Sequence, residues 1–353
     1  MLLLLALLAC TSSDKDTTPT SDSGGDSAEP ECGRVRGTPG VMLFQADDAV
    51  RASVDAPDAT TDSHSVAGPL SDGLTWLLSY GPQVLASVDA GCNWDRVGSL
   101  PSTGWWNLVA AGDRVYAFDR DSSDAARSDD AGVSWTPFDT TEAFVGGAVP
   151  DPGDPNRVRG VQARGVVTSS DGGDSWQVTG SAPAGTLRDA SIVPTDLDTI
   201  AVATTTGVAY TRGGGTTWDE IGAGLPEEVD TPGHTVARVA VHPENIDVLW
   251  ALSQTATGLY TIARTEDHGG AWERQVDSDG AHLNDQSGLW PVRGRTDQVA
   301  SSYASSVDAY GIDLLTVTVT VGTHTLHVGT YFGFNNLVMD DDRWVAAVDG
   351  VLD

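Results

Sequence analysis

The sequence predicts an all-β fold, and three observations carry the prediction. The chain of 353 residues contains 40 glycines, 17 prolines and 11 tryptophans, a composition typical of many short strands joined by tight turns. No stretch places apolar residues at i, i+3 and i+4 over three turns, so almost no helix is expected. A twelve-residue pattern, seen as SDDAGVSWTPFD from Ser128, recurs along the chain.

The pattern returns at a nearly constant interval. Its clear copies begin at residues 87, 128, 169, 211 and 265, which are 41, 41, 42 and 54 residues apart, and degenerate copies begin at Ser53 and Thr318. A period near 40 residues is typical of a propeller blade of about four strands. Seven copies predict a seven-bladed β-propeller. The ring would be closed by N- and C-terminal strands that share one blade, and VMLFQ from Val41 is an extra strand with no firm place.

Each copy, called here a repeat turn, has four positions with a physical reason. Aspartate at the third position accepts backbone N–H groups of its own turn, and glycine at the fifth permits a left-handed backbone. The hydroxyl at the first position bonds locally, and the tryptophan at the eighth buries its ring between blades. Catalytic acids or calcium ligands are the alternative. We predict a structural role for Ser87, Asp89, Gly91, Trp94, Ser128, Asp130, Gly132, Trp135, Ser169, Asp171, Gly173, Trp176, Thr211, Gly215, Trp218, Thr265, Asp267, Gly269 and Trp272.

The motif S-x-D-x-G-x-[ST]-W resembles the Asp-box, or BNR repeat, of the sialidase-like propeller superfamily. That group includes sialidases, xyloglucanases, sortilin-type receptors and photosystem II assembly factors. Turns with proline and acidic residues precede the motif from Val193, from Val241 and, more loosely, from Val149. The resemblance covers about residues 40 to 353. It implies a propeller with these turns on one face and ligands on the other.

The N-terminus predicts an exported and anchored protein. MLLLLALLAC resembles the lipobox of a bacterial lipoprotein signal peptide, which implies cleavage after residue 9 and lipidation of Cys10. Residues 10–33 are rich in Ser, Thr, Asp and Gly and predict a disordered tether, which leaves 34–353 for the propeller. The expected location is the bacterial cell envelope, in the periplasm or at the cell surface. An ordinary secretory signal or a misassigned start is the alternative.

Charge and cysteine content limit the partners. The chain has 50 acidic and 19 basic residues, a formal charge of −31, which disfavours nucleic acid and anionic lipid headgroups. The membrane would therefore be reached through the lipid anchor only. Cys32 and Cys92 are expected to form a disulfide in an oxidising compartment, with two free buried thiols as the alternative.

Signatures of catalysis are missing from the sequence. It contains no G-x-S-x-G, no H-E-x-x-H, no Walker-type loop and no cysteine spacing for zinc, so we predict no catalytic residue, no metal and no cofactor. The Arg-Ile-Pro tripeptide of sialidases is also absent, and Arg188 is the one clear arginine of the predicted ligand-side loops. A glycan hydrolase of the sialidase-like group with a divergent site is the runner-up.

Six residues are candidates for a ligand face opposite the repeat turns. Adjacent side chains of a strand point to opposite faces, so one tryptophan of the pair at 105 and 106 is expected to be exposed. Blade packing for the aromatic residues and solvated loops for the histidines are the alternatives. The candidates are Trp105, Trp106, His234, His282, Trp290 and Tyr331. We predict a monomeric, non-catalytic module for an unknown protein, peptide or glycan ligand, and a scaffold that holds other envelope proteins through its blade edges is a third interpretation.

Overall fold

The structure is a computed structural model that describes residues 41–45, 64–89, 95–222, 225, 235–254, 260–277, 289–291, 296–297, 299–309, 312–321, 324–332, 337–340 and 343–352. Every regular element in these ranges is a β-strand, which confirms the predicted all-β class. None of the described residues forms a helix long and apolar enough to cross a bilayer.

Five consecutive segments fold into antiparallel four-stranded sheets whose strands follow each other in sequence order. We number them sheets I to V. Sheet I consists of β2 (His64–Ala67), β3 (Trp76–Tyr80), β4 (Gln83–Ser87) and β5 (Asp95–Ser99). Sheet II consists of β6 (Trp106–Ala111), β7 (Arg114–Asp119), β8 (Asp124–Ser128) and β9 (Thr136–Asp139). Sheet III consists of β10 (Val145–Asp151), β11 (Asp154–Gln162), β12 (Gly165–Ser169) and β13 (Gln177–Gly180). Sheet IV consists of β14 (Leu187–Val193), β15 (Asp196–Thr204), β16 (Gly207–Thr211) and β17 (Asp219–Glu220). Sheet V consists of β18 (Thr235–Val241), β19 (Leu249–Gln254), β20 (Tyr260–Thr265) and β21 (Glu273–Asp277).

The antiparallel order gives each sheet two distinct ends. The repeat turns join the third strand to the fourth, and the connections from the first strand to the second lie at the same end, which we call the repeat-turn face. The connections from the second strand to the third, and from one sheet to the next, lie at the other end, which we call the connection face.

Consecutive sheets pack side by side around their first strands. Each first strand contacts the next one along the series β2, β6, β10, β14, β18 and β22 (Leu289–Pro291), so the first strands form the inner layer. Apolar side chains fill the space between neighbouring sheets, as when Tyr210 and Val208 of sheet IV cluster with Val239, Leu249 and Trp272 of sheet V. The same kind of cluster joins each of the other pairs among sheets I to V. Burial of these layers is the main favourable contribution to the fold.

One glycine allows the inner strands of sheets III and IV to approach closely. Gly146 in β10 has a φ of +72°, and a Cβ atom there would meet the backbone of Ala190 in β14. Only glycine takes up this left-handed conformation without steric cost and leaves room for the neighbouring backbone.

The remaining strands form one seven-stranded sheet with the order β1-β27-β25-β24-β23-β22, in which β26 also pairs with β27. Its strands are β1 (Val41–Gln45), β22 (Leu289–Pro291), β23 (Val299–Ala309), β24 (Ile312–Val321), β25 (His324–Phe332), β26 (Leu337–Asp340) and β27 (Arg343–Leu352). The extra strand from Val41 is parallel to β27, with Val41 opposite Trp344. Strands expected for the last blade and for the shared blade thus lie in a single sheet.

The two degenerate repeat copies have different outcomes. Thr318 lies inside β24, so the chain remains extended through Val321 before it turns. The copy from Ser53 lies outside the described residues.

Candidate functional site

The repeat turn from Ser128 is a closed hydrogen-bonded loop. The Oδ1 of Asp130 accepts the backbone N–H of Ser134 at 2.8 Å, and Oδ2 accepts the Ser134 hydroxyl at 2.6 Å. The Ser128 hydroxyl donates to Asp130 at 2.8 Å and accepts the N–H of Gly132 at 2.8 Å. The turn from Ser169 repeats the same four bonds around Asp171, at 2.9, 2.6, 2.8 and 2.8 Å.

Three other turns show what each position contributes. In the turn from Thr265, Asp267 accepts the N–H of Ala271 at 2.9 Å, and alanine offers no hydroxyl for a further bond. In the turn from Thr211, where Gly213 replaces aspartate, the Thr211 hydroxyl still accepts two N–H groups, from Gly213 at 3.0 Å and from Gly215 at 3.3 Å. In the first turn the Ser87 hydroxyl donates to Asp89 at 2.8 Å, while Gly91 and Trp94 lie outside the described residues.

Electrostatics favour the charged form of these aspartates. The Ser134 hydroxyl and backbone N–H lower the pKa of Asp130, and Ser175 lowers the pKa of Asp171 in the same way. The backbone N–H of Ala271 is the first cause of the lowered pKa of Asp267. A carboxylate that is held ionised by its own turn is poorly suited to donate a proton to a substrate.

The repeat tryptophans lie where neighbouring sheets meet. The indole N–H of Trp218 donates to the carbonyl of Ser181 at 2.9 Å, and that of Trp272 donates to Ile221 at 2.8 Å; both carbonyls follow the last strand of the preceding sheet. The Trp176 ring stacks on Phe138 of the preceding sheet, with centroids 6.4 Å apart. Trp135 instead donates to Gly132 of its own turn at 3.0 Å.

The candidates for the ligand face have different surroundings. Trp105 is 41% exposed and Trp106 is 2% exposed, so the first of the adjacent pair faces solvent. Trp290 is half-buried in β22, and Tyr331 lies in β25. His234 and His282 lie outside the described residues, as do Cys10, Cys32 and Cys92. Within the described part of the chain, no group of three or more His, Cys, Asp or Glu side chains is placed to hold a metal ion.

The loop that carries Trp105 is held firmly on the connection face. The indole N–H of Trp106 donates to the carbonyl of Ser102 at 3.0 Å, which ties the buried ring to its own loop. A Cβ atom at Gly104 would meet the Asp119 carboxylate, so the loop packs closely against the end of β7. The carbonyl of Trp105 accepts the N–H of Arg120 at 2.9 Å. The exposed indole is therefore presented by an ordered segment.

A buried carboxyl group lies on the inner strands near the same face. Asp189 is the third residue of β14, which begins at the connection face, and its side chain is 13% exposed. Its Oδ2 accepts the N–H of Val239 in β18 at 3.0 Å, and its Oδ1 lies 3.9 Å from Nη1 of Arg238. Burial raises the pKa of Asp189 to about 6, although the nearby charges of Arg238 and Arg120 partly oppose the shift.

The arginines of the two faces differ in whether they form ion pairs. On the repeat-turn face Arg114, Arg127 and Arg212 form ion pairs with carboxylates. On the connection face Arg120 and Arg188 are exposed and form no ion pair within the described part of the chain. The connection face thus combines an exposed indole with guanidinium groups that can still bind an acceptor.

Sequence reasoning did not select Asp189 or Arg238. A signal was present for Arg238, which is the one charged residue of β18 in TVARVAV, whereas Asp189 follows the charged Arg188 in LRDASIV and stands out less. Charged residues are rarely buried unless they are paired. In an acidic chain of this size, however, single carboxylates do not stand out.

Comparison with solved structures identifies the class of this chain as a β-propeller. It is similar to a structure of YCF48 bound to D1 peptide, with a TM-score of 0.52 and 12% identity over 76% of this chain and 82% of that one. It is also similar to an ancestral GH74 enzyme, with a TM-score of 0.53 and 16% identity over 79% of this chain and 40% of that one. At these identities the likeness shows the fold alone.

One characterised relative is similar in sequence. The dispase autolysis-inducing protein of Streptomyces mobaraensis is 27% identical over 168 residues, which are 47% of this chain and 44% of that protein. The aligned segment is less than half of the relative's length. No family model matches the chain.

Proposed function

We propose that this chain is an exported, lipid-anchored and non-catalytic seven-bladed propeller that binds a protein or peptide ligand on its connection face. The observation that carries the proposal is the exposure of Trp105, because an ordered and solvent-facing indole is costly to leave uncovered and is typical of binding surfaces. The backbone N–H of Arg120 bonds to the Trp105 carbonyl, so the exposed side chain of Arg120 belongs to the same part of the connection face.

We infer seven blades and a closed ring from the five four-stranded sheets and from the contacts between the two ends of the chain, although the remaining strands are joined in one seven-stranded sheet. Sheets I to V supply five blades, and the strands β22 to β25 supply the four of a sixth. The seventh would combine β26, β27 and β1 with residues before β2. Contact of β2 with β26 and β27 supports closure between the two ends of the chain.

A peptide is favoured as the ligand class by the mixed character of the surface. An indole can cover an apolar side chain, and a guanidinium can bind a main-chain carbonyl or a carboxylate. The similar YCF48 structure holds a D1 peptide, which illustrates that a propeller can take such a ligand. A glycan could bind to the same indole, and the test below therefore includes glycans as the alternative ligand class.

The test is selection of a displayed peptide library on the purified protein, followed by affinity measurement for the enriched peptides. Trp105→Ala should weaken binding about tenfold or more, the loss typical of an aromatic anchor. Leu74→Ala is the matched control, because Leu74 is 44% exposed but lies on the repeat-turn face. Equal losses in the two variants, or enrichment on a glycan array instead, would contradict a peptide site on the connection face.

The glycan hydrolase alternative has one observation in its favour. The pKa of Asp189 near 6 is suitable for a general acid. Its carboxylate is nevertheless occupied by the Val239 N–H, which suits a structural link between sheets. Release of reducing ends from a polysaccharide panel by the wild type, abolished in Asp189→Asn, would establish the enzyme and overturn the binding module.

Anchoring is tested separately. In a bacterial host the wild-type chain should fractionate with membranes and incorporate labelled palmitate. Cys10→Ala should lose the label and be released, while Cys32→Ala should keep it. Palmitate labelling that survives in Cys10→Ala would exclude the proposed anchor.

A further inference from the structure

The outer edges of sheets I to V share one structural position. The second residue after each repeat tryptophan pairs with the residue two places before the repeat Ser or Thr on the third strand. The residues at this position, from sheet I to sheet V, are Arg96, Pro137, Val178, Glu220 and Arg274.

At four of the five edges, the residue at this position disfavours pairing with a further strand. A charged side chain or a proline on an edge strand discourages pairing with another chain. Val178 is the exception, and it is 53% exposed. The whole strand β13, with the sequence QVTG, contains no charged residue, whereas β5, β9, β17 and β21 each contain at least one.

The backbone at Val178 is available to a further strand. Pro137 pairs with Ala126 at the equivalent position of β9 although proline has no N–H, so the ladder does not use the N–H there. By the same register the N–H of Val178 points away from β12. β13 ends its sheet, and within the described residues no other strand pairs with it.

The charge around this edge determines which kind of peptide segment can bind there. The indole N–H of Trp218 donates to Ser181, the first residue after β13, and Asp219 and Glu220 are the next two residues of the chain after Trp218. Both side chains are exposed, and the chain as a whole carries −31. An acidic segment or a second copy of this chain would be repelled.

We propose that the outer edge of β13 binds an extended basic segment of a partner protein by β-strand addition. Main-chain hydrogen bonds to β13 supply affinity, Val178 packs against an apolar side chain of the segment, and its basic side chains face Asp219 and Glu220. This site lies at the outer edge of sheet III and is independent of the ligand on the connection face.

The experiment uses a short fluorescein-labelled peptide of alternating arginine and valine, and fluorescence anisotropy at physiological ionic strength. Val178→Pro should weaken binding about tenfold, because it removes an outward N–H and its hydrogen bond. Since proline already stands at this position in β9, the variant should fold, which circular dichroism checks. Val178→Ile keeps the N–H and the apolar surface and should bind as the wild type does.

Two control peptides separate strand addition from simple attraction of opposite charges. A peptide with proline in place of the valines has the same charge and should not bind, and an alternating glutamate–valine peptide should not bind either. Equal affinity of the proline peptide, or of Val178→Pro for the basic peptide, would overturn the proposal. A wild-type dimer in sedimentation that Val178→Pro abolishes would overturn it in favour of self-association.

Discussion

Asp189 accepts the backbone N–H of Val239 at 3.0 Å and thereby joins the inner strands of sheets IV and V through a side chain. Ser191 makes an equivalent link two residues later, where its hydroxyl accepts the N–H of Val241 at 3.1 Å. Antiparallel ladders hold each sheet together, whereas such side-chain links hold one sheet to the next. Asp189 is the link whose strength depends on pH.

Asp189→Asn should change how stability depends on pH. The folded-state pKa of about 6 lies above the ordinary value of 3.8, so the carboxyl group contributes most to stability below about pH 4. That contribution is lost as the pH rises through 6. The shift of about two units corresponds to roughly 3 kcal/mol at most. Asparagine retains an acceptor for the Val239 N–H and does not ionise.

Urea unfolding of the wild type and of Asp189→Asn at several pH values between 4 and 8 measures this effect. As the pH rises, the free energy of unfolding of the wild type should fall relative to that of the variant, because Asp189 ionises. The other carboxylates contribute equally to both proteins and cancel in the difference. A difference that is constant with pH would show that Asp189 is not the titrating group.

Gly213→Asp should stabilise the repeat turn of sheet IV. The Cβ atom of the new side chain would lie 2.6 Å from the Thr216 hydroxyl, so that hydroxyl must rotate away from the Gly213 carbonyl, and the carboxylate could then accept Thr216 and Thr211 as Asp171 accepts Ser175 and Ser169. By analogy with capping side chains, the expected gain is about 0.5 to 1 kcal/mol in the free energy of unfolding. Gly213→Ala is the control, since it adds the Cβ atom without an acceptor. If both variants unfold at the same urea concentration, the carboxylate does not contribute.

Ala131→Gly should also stabilise the protein. Ala131 has a φ of +54°, and the equivalent residues Gly172 and Gly214, at +75° and +59°, show that the turn requires the left-handed region there. Relief of this conformation by glycine is worth about 1 kcal/mol, partly offset by the greater entropy of the unfolded chain. Thermal unfolding measures the gain. Ala126→Gly, in the strand before the turn, should destabilise, and a loss in Ala131→Gly as well would contradict the strain argument.

Arg159→Lys should destabilise the contact between sheets III and IV. The guanidinium of Arg159 is nearly buried, donates to the carbonyl of Leu197 at 2.8 Å and to the Thr168 hydroxyl at 3.1 Å, and pairs with Asp198. A single ammonium cannot make all of these bonds, so a loss of about 1 to 2 kcal/mol is expected in urea unfolding.

Arg157→Lys is the matched control for Arg159→Lys. Arg157 forms a partly exposed ion pair with Asp151 at 3.2 Å within sheet III, and its replacement should cost less than about 0.5 kcal/mol. Equal effects at the two positions would show that burial and the contact to the next sheet add nothing.

Much of each sheet was predictable from the sequence because the signals are local. The five clear repeat copies begin at the last residue of β4, β8, β12, β16 and β20, and each lies in a sheet of four strands, as the period of the repeat predicted. Alternating apolar residues and turn-forming residues determine these elements within a few neighbours. The pairing of the final strands was less predictable, since the last clear repeat turn ends at Trp272.

The candidate site was predictable only in part. The sequence indicated that one of two adjacent tryptophans faces solvent, but not which one, because alternation along a strand does not say which side is covered. In the structure Trp105 is the exposed tryptophan, because the indole of Trp106 is buried and donates to the carbonyl of Ser102.

The sequence by itself determined the all-β class, the positions of the five clear repeat turns and the hydrogen-bonding residues within them, because each depends on residues less than ten positions apart. Only the tertiary structure brought Asp189 to Val239, 50 positions away, and left Val178 as the unprotected position among five equivalent edges. The physical reason is that burial and charge pairing between sheets depend on which side chains the fold places opposite each other, and a local pattern contains no record of that placement.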